Sequence, residues 1–570
     1  MSLLLLVVVC IALLVTGYIF YGSFLSGLLK LDSKVKTPAH VFKDGIDFVP
    51  TGKSYLLGQH FSAIAAAGPI VGPIIAGIWF GWLPTVLWII IGSIFIGGVH
   101  DFFSLTASIR HQGRSIAEVI KEHKSKRAFI LFLIFLWVSL VYIITAFTDI
   151  TAGAFVAAQS GPAVASSSMM YLLLALIMGM VLRGSNPPLL KMTLISLPLV
   201  LLCIYLGSIF PLHIQPLFGT SLRTTWDILL LGYCFFAAVI PVWLLLQPRG
   251  YLGGTFLVFT AGISFIGLVV GTFTQSYVIQ YPAFVKWVNP QGLPLLPLLF
   301  TTVACGACSG FHALVSSGTT SKQISNEKDA KPIGYGGMLL ESFVAVIALG
   351  TLLLLSKDQM MTLKTPDQIY ANGIASFLNS LGINRDFAFN FALLAFATFV
   401  YDTLDVATRL GRYIFQELTH VRGKISIYVS ALATLLLPLF FVTREMKDAQ
   451  GNIIPVWQLF WTVFGASNQL LAALVLLGLS VWLFKKKGNF IVTLIPSIFM
   501  IIVAMVSLWL LLKPWIQKIL SGGTFAFEPI VLTIIALFIL ATFLIIEGAA
   551  IFIKGKVPPQ RGKDLKCRVP

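Results

Sequence analysis

The chain has 570 residues, 57% hydrophobic and only 11% charged, with a formal net charge of +17 and a mean hydropathy of +0.92. Long apolar runs from end to end exclude a soluble domain and the short alternating strands of an outer-membrane barrel. The positive charge does not indicate nucleic acid, because the basic residues sit in short loops between apolar runs.

Fifteen hydrophobic segments follow in chain order, at about 3–24, 61–80, 84–107, 128–157, 169–183, 190–210, 226–246, 251–274, 294–317, 333–356, 387–408, 425–442, 457–484, 489–512 and 529–553. Each is read as a membrane-spanning helix, with 61–80 and 294–317 as candidates for discontinuous ones, so the expected fold class is all-α and polytopic. Segment 1 lacks a basic n-region and a small-residue cleavage site, and is expected to be a retained helix. Alternating the segments back from a cytoplasmic tail rich in Lys and Arg puts 30 of the 39 Lys and Arg on the cytoplasmic side. The positive-inside rule then places the N-terminus outside and the C-terminus in the cytoplasm.

Segment 2 carries Ala67-Gly-Pro-Ile-Val-Gly-Pro73. Proline lacks a backbone donor and clashes with the preceding turn, so two Gly-Pro pairs predict a helix broken near mid-membrane. Segment 7 carries Pro241, with Gly232-Tyr233 before it and Gln247-Pro-Arg-Gly250 after it. Segments five apart run in opposite directions. Two Gly/Pro-interrupted segments at matching places in two halves mark the site of an inverted-repeat transporter. Segment 9 holds Cys305-Gly-Ala-Cys-Ser-Gly-Phe-His-Ala-Leu-Val-Ser-Ser-Gly-Thr-Thr320, too polar to face lipid. On a helix, Cys305, Ser309, His312 and Ser316 share one face, and Gly306 and Gly310 form a GxxxG pair for close helix approach. The segment reads as the wall of a polar pathway. The six cysteines show no disulfide framework, and the CxxC spacing of Cys305 and Cys308 comes without other ligands, so they read as packing residues.

Several longer blocks are recognisable. They are Thr37-Pro-Ala-His-Val-Phe-Lys-Asp-Gly-Ile-Asp-Phe-Val-Pro50, Gly58-Gln-His-Phe61 with the run on to Pro73, Cys305 to Thr320, Ile333-Gly-Tyr-Gly-Gly-Met-Leu-Leu-Glu-Ser342, Leu404-Asp-Val-Ala-Thr-Arg-Leu-Gly-Arg412 and Leu459-Phe-Trp-Thr-Val-Phe-Gly-Ala-Ser-Asn-Gln469. In that order, from about residue 37 to 480, they resemble the carbon starvation protein A family. The resemblance implies an inner-membrane transporter of peptides or of small carboxylates such as pyruvate. It also implies a leucine-transporter-like core, the five-plus-five inverted repeat of the amino acid–polyamine–organocation superfamily, with its first and sixth helices broken. On that reading 59–415 is the core, 1–58 a first helix and cytoplasmic loop, 416–553 peripheral helices and 554–570 a basic cytoplasmic tail, all within one transmembrane domain, 1–570. The chain departs from the family in a short external loop at 357–386, where many members carry a large insertion. It departs again at Gln59, where the family has the first of two histidines.

Substrate contacts are expected at the broken segment 2, at Gly68, Pro69, Gly72 and Pro73, where freed N–H groups and the half-helix dipole favour a substrate carboxylate. Tyr233, Ser309, His312 and Ser316 are the other candidates. A carboxylate at the bilayer centre costs about 2.5–3.5 kcal/mol on insertion scales, so buried acids need partners or a role. Asp149, Glu341, Asp402 and Asp405 are therefore coupling candidates, together with His60. Asp405 and Arg409, four apart, are expected to pair within their helix, which leaves Asp402 the better coupling acid. Asp101, after His100, reads as a gating or packing residue, and Asn468 as an interhelical hydrogen bonder. The resemblance implies that a sodium site can form between segments 2 and 9, for which Ser316, Ser317 and Thr319 offer hard oxygen ligands; alternatively the same hydroxyls cap their helix. Proton and sodium coupling both stay open, and no cofactor beyond the coupling ion is expected. The expected partners are a small-molecule substrate and membrane lipid at the Lys-rich loops, and no nucleic acid. The whole reads as a secondary active importer working by alternating access. No catalytic cluster suggests a membrane enzyme, and no soluble output domain suggests a sensor.

Overall fold

The structure, a computed structural model, describes residues 2–554 except 46, 66, 122–125, 159, 186–187, 218, 291, 357–364, 422, 448–452 and 521–528. Beyond Lys554 the expected basic tail lies outside the described residues, as does the start of the external loop at 357–386. Every predicted segment is helical. They are α1 Leu3–Leu29, α2a Lys53–Ile64 with α2b Gly68–Phe80, α3 Trp82–Arg110, α4 Lys126–Phe155, α5 Gly161–Ser185, α6 Leu189–Ile209, α7 Leu222–Val239 and α8 Leu246–Thr274. They continue with α9a Leu295–Thr302 and α9b Gly310–Gly318, α10 Glu327–Leu353, α11 Arg385–Thr419, α12 Lys424–Val442, α13 Val456–Lys485, α14 Ile491–Leu520 and α15 Pro529–Lys554. Thirteen described helices are long and apolar enough to cross a membrane, and α2a with α2b, bent by 43°, makes a fourteenth span. The halves of α9 cover the remaining predicted segment. The chain is an all-α, multi-pass membrane protein.

The structure moves several predicted boundaries. α5 starts eight residues early, because its first two turns bury Ser166, Ser167 and Ser168, which hydropathy alone scores as loop. α11 runs on to Thr419, so Arg409 and Arg412, just beyond the predicted segment end at 408, are buried inside a helix. A helix at Pro366–Asn379, unpredicted, buries Ile369, Tyr370, Ile374, Phe377 and Leu378 against α8, α10 and α11.

The broken helices need a larger correction. α2 breaks between Ile64 and Gly68, just ahead of the first Gly-Pro pair, with Ala65 at φ −79°, ψ 59°. Proline fits the first turn of a helix, so Pro69 starts α2b instead of interrupting it, and Pro73 is carried inside. α7 is continuous, and Pro241 lies past its end in the non-helical link 240–245. The second break is in α9, where 303–309 leave the helix and Ser309 is extended at φ −130°, ψ 127°. The two broken spans are seven places apart in the order, still an odd offset, so they run in opposite directions. π-helical turns lie at Gly17–Tyr21 in α1, Ser93–Gly97 in α3 and Lys331–Tyr335 in α10. The long helices α4 and α11 pack on each other.

A strap, 275–294, leads from α8 to α9a and is stitched to three other elements. Trp82 N donates to Pro282 O at 3.3 Å, Leu83 N to Ala283 O at 3.0 Å, and Val285 N to Phe80 O at 3.0 Å. Gln280 N donates to Leu353 O at the end of α10, at 2.9 Å.

Candidate functional site

The two broken spans cross at their breaks, and small residues decide how closely. A Cβ at Gly72 would stand 2.5 Å from Thr302 O, and one at Gly68 would run into Cys305 Cβ and Sγ. The missing side chains seat α2b directly on the open backbone of α9. That backbone is held from two sides. Asn468 on α13 accepts from Phe311 N and donates to Ser309 Oγ, both at 2.9 Å, and Ser342 Oγ on α10 donates to Gly306 O at 3.2 Å. Asn468 thus caps α9b, whose first N–H groups have no helical acceptor. Cys305 and Ser309 lie on the break itself, so the expected four-residue helical face does not exist. Only His312 and Ser316 share a face of α9b. Gly306 and Gly310 likewise serve two neighbours, with Ala345 Cβ 2.8 Å from a Cβ at Gly306 and Ala472 N 2.5 Å from one at Gly310.

Below the crossing, four elements bring ionisable groups together, all fully buried. His312 Nδ1 lies 2.7 Å from Asp101 Oδ2, and Asp101 Oδ1 lies 2.7 Å from His100 Nδ1. On its other side His312 Nε2 stands 3.3 Å from Glu341 Oε2, within ion-pair range but off the line of a hydrogen bond. An imidazole set between two carboxylates can hold a proton that either acid can take. His60 on α2a bonds Thr320 Oγ1 through Nδ1 at 2.9 Å, and its ring lies against Gly337, one turn before Glu341. Asp101, which the sequence marks as a gating or packing residue, is the centre of this array.

A second buried cluster lies between α2a, α7, α8 and α11. Arg249 Nε is 3.2 Å from Asp402 Oδ1, and Arg249 Nη1 pairs with Asp405 Oδ2. Tyr233 OH donates to Asp405 Oδ2 at 2.8 Å and accepts from Arg249 Nη1 at 2.5 Å. Ser62 Oγ donates to Asp402 Oδ2. The predicted Asp405–Arg409 pair does not form. Arg409 turns to the carbonyls of Ala237 and Ile240, at 2.9 and 2.5 Å, which α7 leaves unbonded at its C-terminal end. Arg249 was missed because it follows Gln-Pro in what reads as a tight turn. The one cue was a lone guanidinium amid an otherwise apolar stretch.

The other candidates lie elsewhere. Asp149 sits apart from both clusters, with Arg223 Nε 2.5 Å from its Oδ1 and Trp457 N donating to its Oδ2 at 2.8 Å. Its partner comes from α7, more than seventy residues away, so local sequence could not reveal it. Ser317 Oγ and Thr319 Oγ1 donate to carbonyls of their own helix, Ala313 O at 2.6 Å and Val315 O at 2.9 Å. Ser316 Oγ is buried and has no partner among the described residues. Among the described residues no cluster of three or more His, Cys, Asp or Glu could hold a metal ion.

The sequence model of the family described as carbon starvation protein CstA matches residues 2–370 and 353–507. The peptide transporter CstA of Escherichia coli strain K12 is 33% identical over 573 residues, 88% of this chain and 80% of that protein. The pyruvate/proton symporter BtsT of the same organism is 30% identical over 595 residues, 87% of this chain and 80% of that one. Among solved structures, MhsT in complex with L-phenylalanine aligns over 89% of this chain and 99% of its own, at 11% identity and a TM-score of 0.47. At that score the likeness says nothing of function.

Proposed function

We propose, for a chain that belongs to the carbon starvation protein CstA family and is a membrane transporter of small molecules, that it imports a small carboxylate or short peptide by proton-coupled alternating access. The observation that carries this reading is His312 held between Asp101 and Glu341 beneath the crossing of the broken spans. A substrate carboxylate rests at the N-terminus of α2b, where the half-helix dipole is positive. The coupling proton rides on the Asp101–His312–Glu341 array. α10 carries Glu341 and α3 carries Asp101, so movement of α9b between them changes which acid shares the imidazole. The relatives named above, a peptide transporter and a pyruvate/proton symporter, support the substrate class and the coupling ion. The protein sits in the inner membrane with its N-terminus outside and its C-terminus in the cytoplasm, as its Lys and Arg distribution favours.

The test is uptake into proteoliposomes of pyruvate, other small acids, amino acids and dipeptides, under separately imposed proton and sodium gradients. Accumulation of a carboxylate or dipeptide driven by an inward proton gradient is the expected result. Facilitated equilibration without accumulation under either gradient would overturn the coupled reading.

A further inference from the structure

Arg249 stands where a mobile cation would otherwise be needed. The last turn of α2a, just before its break, meets α11 through oxygen atoms. Ser62 Oγ bonds Asp402 Oδ2, and Thr403 Oγ1 donates to Ala63 O at 3.2 Å. Asp405 and the Tyr233 hydroxyl close the far side. The buried carboxylates of Asp402 and Asp405, with the Ser62 and Tyr233 hydroxyls bonded to them, form an oxygen set suited to a hard monovalent cation. The guanidinium of Arg249 already lies between those carboxylates. It has no measurable solvent exposure and leaves Nη2 without a hydrogen-bond partner among the described residues. The site is also sterically arranged for it. A Cβ at Gly253, one turn along α8 from Arg249, would stand 2.5 Å from Ser62 Oγ and would overlap Asp402 Oδ2.

We infer that Arg249 is the resident cation of the α2a–α11 junction, so the transporter needs no sodium there and the junction binds sodium once Arg249 is removed. A buried carboxylate pair without a counter-charge is costly, which is why some cation must be present. A tethered guanidinium supplies it at fixed position and cannot be lost to either compartment, since Arg stays charged in proteins. As α2a tilts in the transport cycle, its Ser62–Asp402 contact parts and re-forms while Arg249 keeps its place between the carboxylates, without an ion leaving. The inference builds on the proton-coupled reading above, but its test does not depend on transport.

The test is thermal unfolding of purified protein in choline, sodium or millimolar guanidinium buffers, for wild type, Arg249→Ala, Arg249→Lys and the double variant Arg249→Ala with Asp402→Asn. Wild type and Arg249→Lys are expected to be indifferent to the cation. Arg249→Ala is expected to melt lower in choline and to rise with sodium or guanidinium to a saturating value, as binding to the folded state requires. The double variant is expected to lose that response. If Arg249→Ala fails to fold in choline, recovery of folded protein only when sodium or guanidinium is present from solubilisation is the same result. Sodium stabilisation of wild type, an Arg249→Ala protein blind to both cations, or its loss in all three buffers would overturn the inference. Failure of the proton-coupled reading appears separately, in the uptake assay alone.

Discussion

Gly72→Ala is the smallest change that presses on the crossing of the two broken spans. The added Cβ would lie 2.5 Å from Thr302 O and 3.4 Å from Val303 Cα. An ordinary C···O contact is about 3.3 Å, so the spans must part by roughly 0.8 Å at the point where they touch. The obstructing atoms are backbone, and no side-chain rotation relieves them. Overpacking of this kind costs about 1–3 kcal/mol, while the gain of about 1 kcal/mol in helix propensity over Gly applies to both alternating conformations and drops out of their ratio. Falling on one of two alternating conformations, an imbalance of 1–3 kcal/mol changes their ratio by roughly 5–150-fold. The assay is initial uptake into proteoliposomes at matched protein level, beside Gly232→Ala as control, because nothing lies within 4 Å of a Cβ there. Uptake by Gly72→Ala is expected to fall at least several-fold while the control stays near wild type. Equal uptake by the two variants would refute the view that backbone contact between α2b and α9 sets the transport geometry.

Asp101→Asn and Glu341→Gln are expected to abolish accumulation driven by a proton gradient while sparing counterflow, since the neutral amide keeps shape but cannot take part in proton exchange. Both activities surviving in both variants would remove the His312 array from coupling. Asp149→Asn should behave differently, losing folded protein yield together with both activities, because Arg223 is left partly buried without its counter-charge, a loss of about 3–5 kcal/mol when such a pair is broken. Melting of the detergent-solubilised protein checks it, and a stable variant defective only in driven uptake would return Asp149 to the coupling set. For topology, a cysteine at Gln112 should label from the cytoplasmic side and one at Asn384 from outside, both positions being exposed. Labelling of both from one side would break the fifteen-segment map.

The number of spans was legible because hydrophobic runs long enough to cross a bilayer leave a composition signal that needs no tertiary context. The broken α2 was legible for the same local reason, two Gly-Pro pairs in one apolar run. Segment 9 was also legible as a candidate for a discontinuous helix, but the part of partner to the α2 break went to Pro241 in segment 7, because the α9 break itself holds no proline. That break rests on Asn468, Gln469 and Ser342, contributed by helices distant in sequence. His312 and Glu341 were visible as polar residues in apolar runs. That they share one array through Asp101 is a matter of packing, and so is the exchange of partners that gives Asp405 to Arg249 and Arg409 to the end of α7. Sequence spacing within a helix predicts pairs only where no stronger partner arrives from another helix.

The strap at 275–294 bears on how such a molecule can open. It is hydrogen-bonded to the end of α2b, the start of α3 and the end of α10, and it continues directly into α9a. Four mobile candidates of the transport cycle are thereby laced together at one membrane face like staves under a hoop. At that face α2b cannot swing free of α3, nor α9a free of α10, without tearing backbone hydrogen bonds. At the other end α2a is tied through Thr51, just ahead of its first turn, whose N donates to Gln323 O at 2.8 Å and whose O accepts from Ser325 Oγ at 2.9 Å, and α2a bends 43° from α2b. Access on the laced side must come from that group moving as one plate, and access on the other side from α2a moving with the 319–326 link to which Thr51 is bonded, so the two gates of this protein are mechanically unlike.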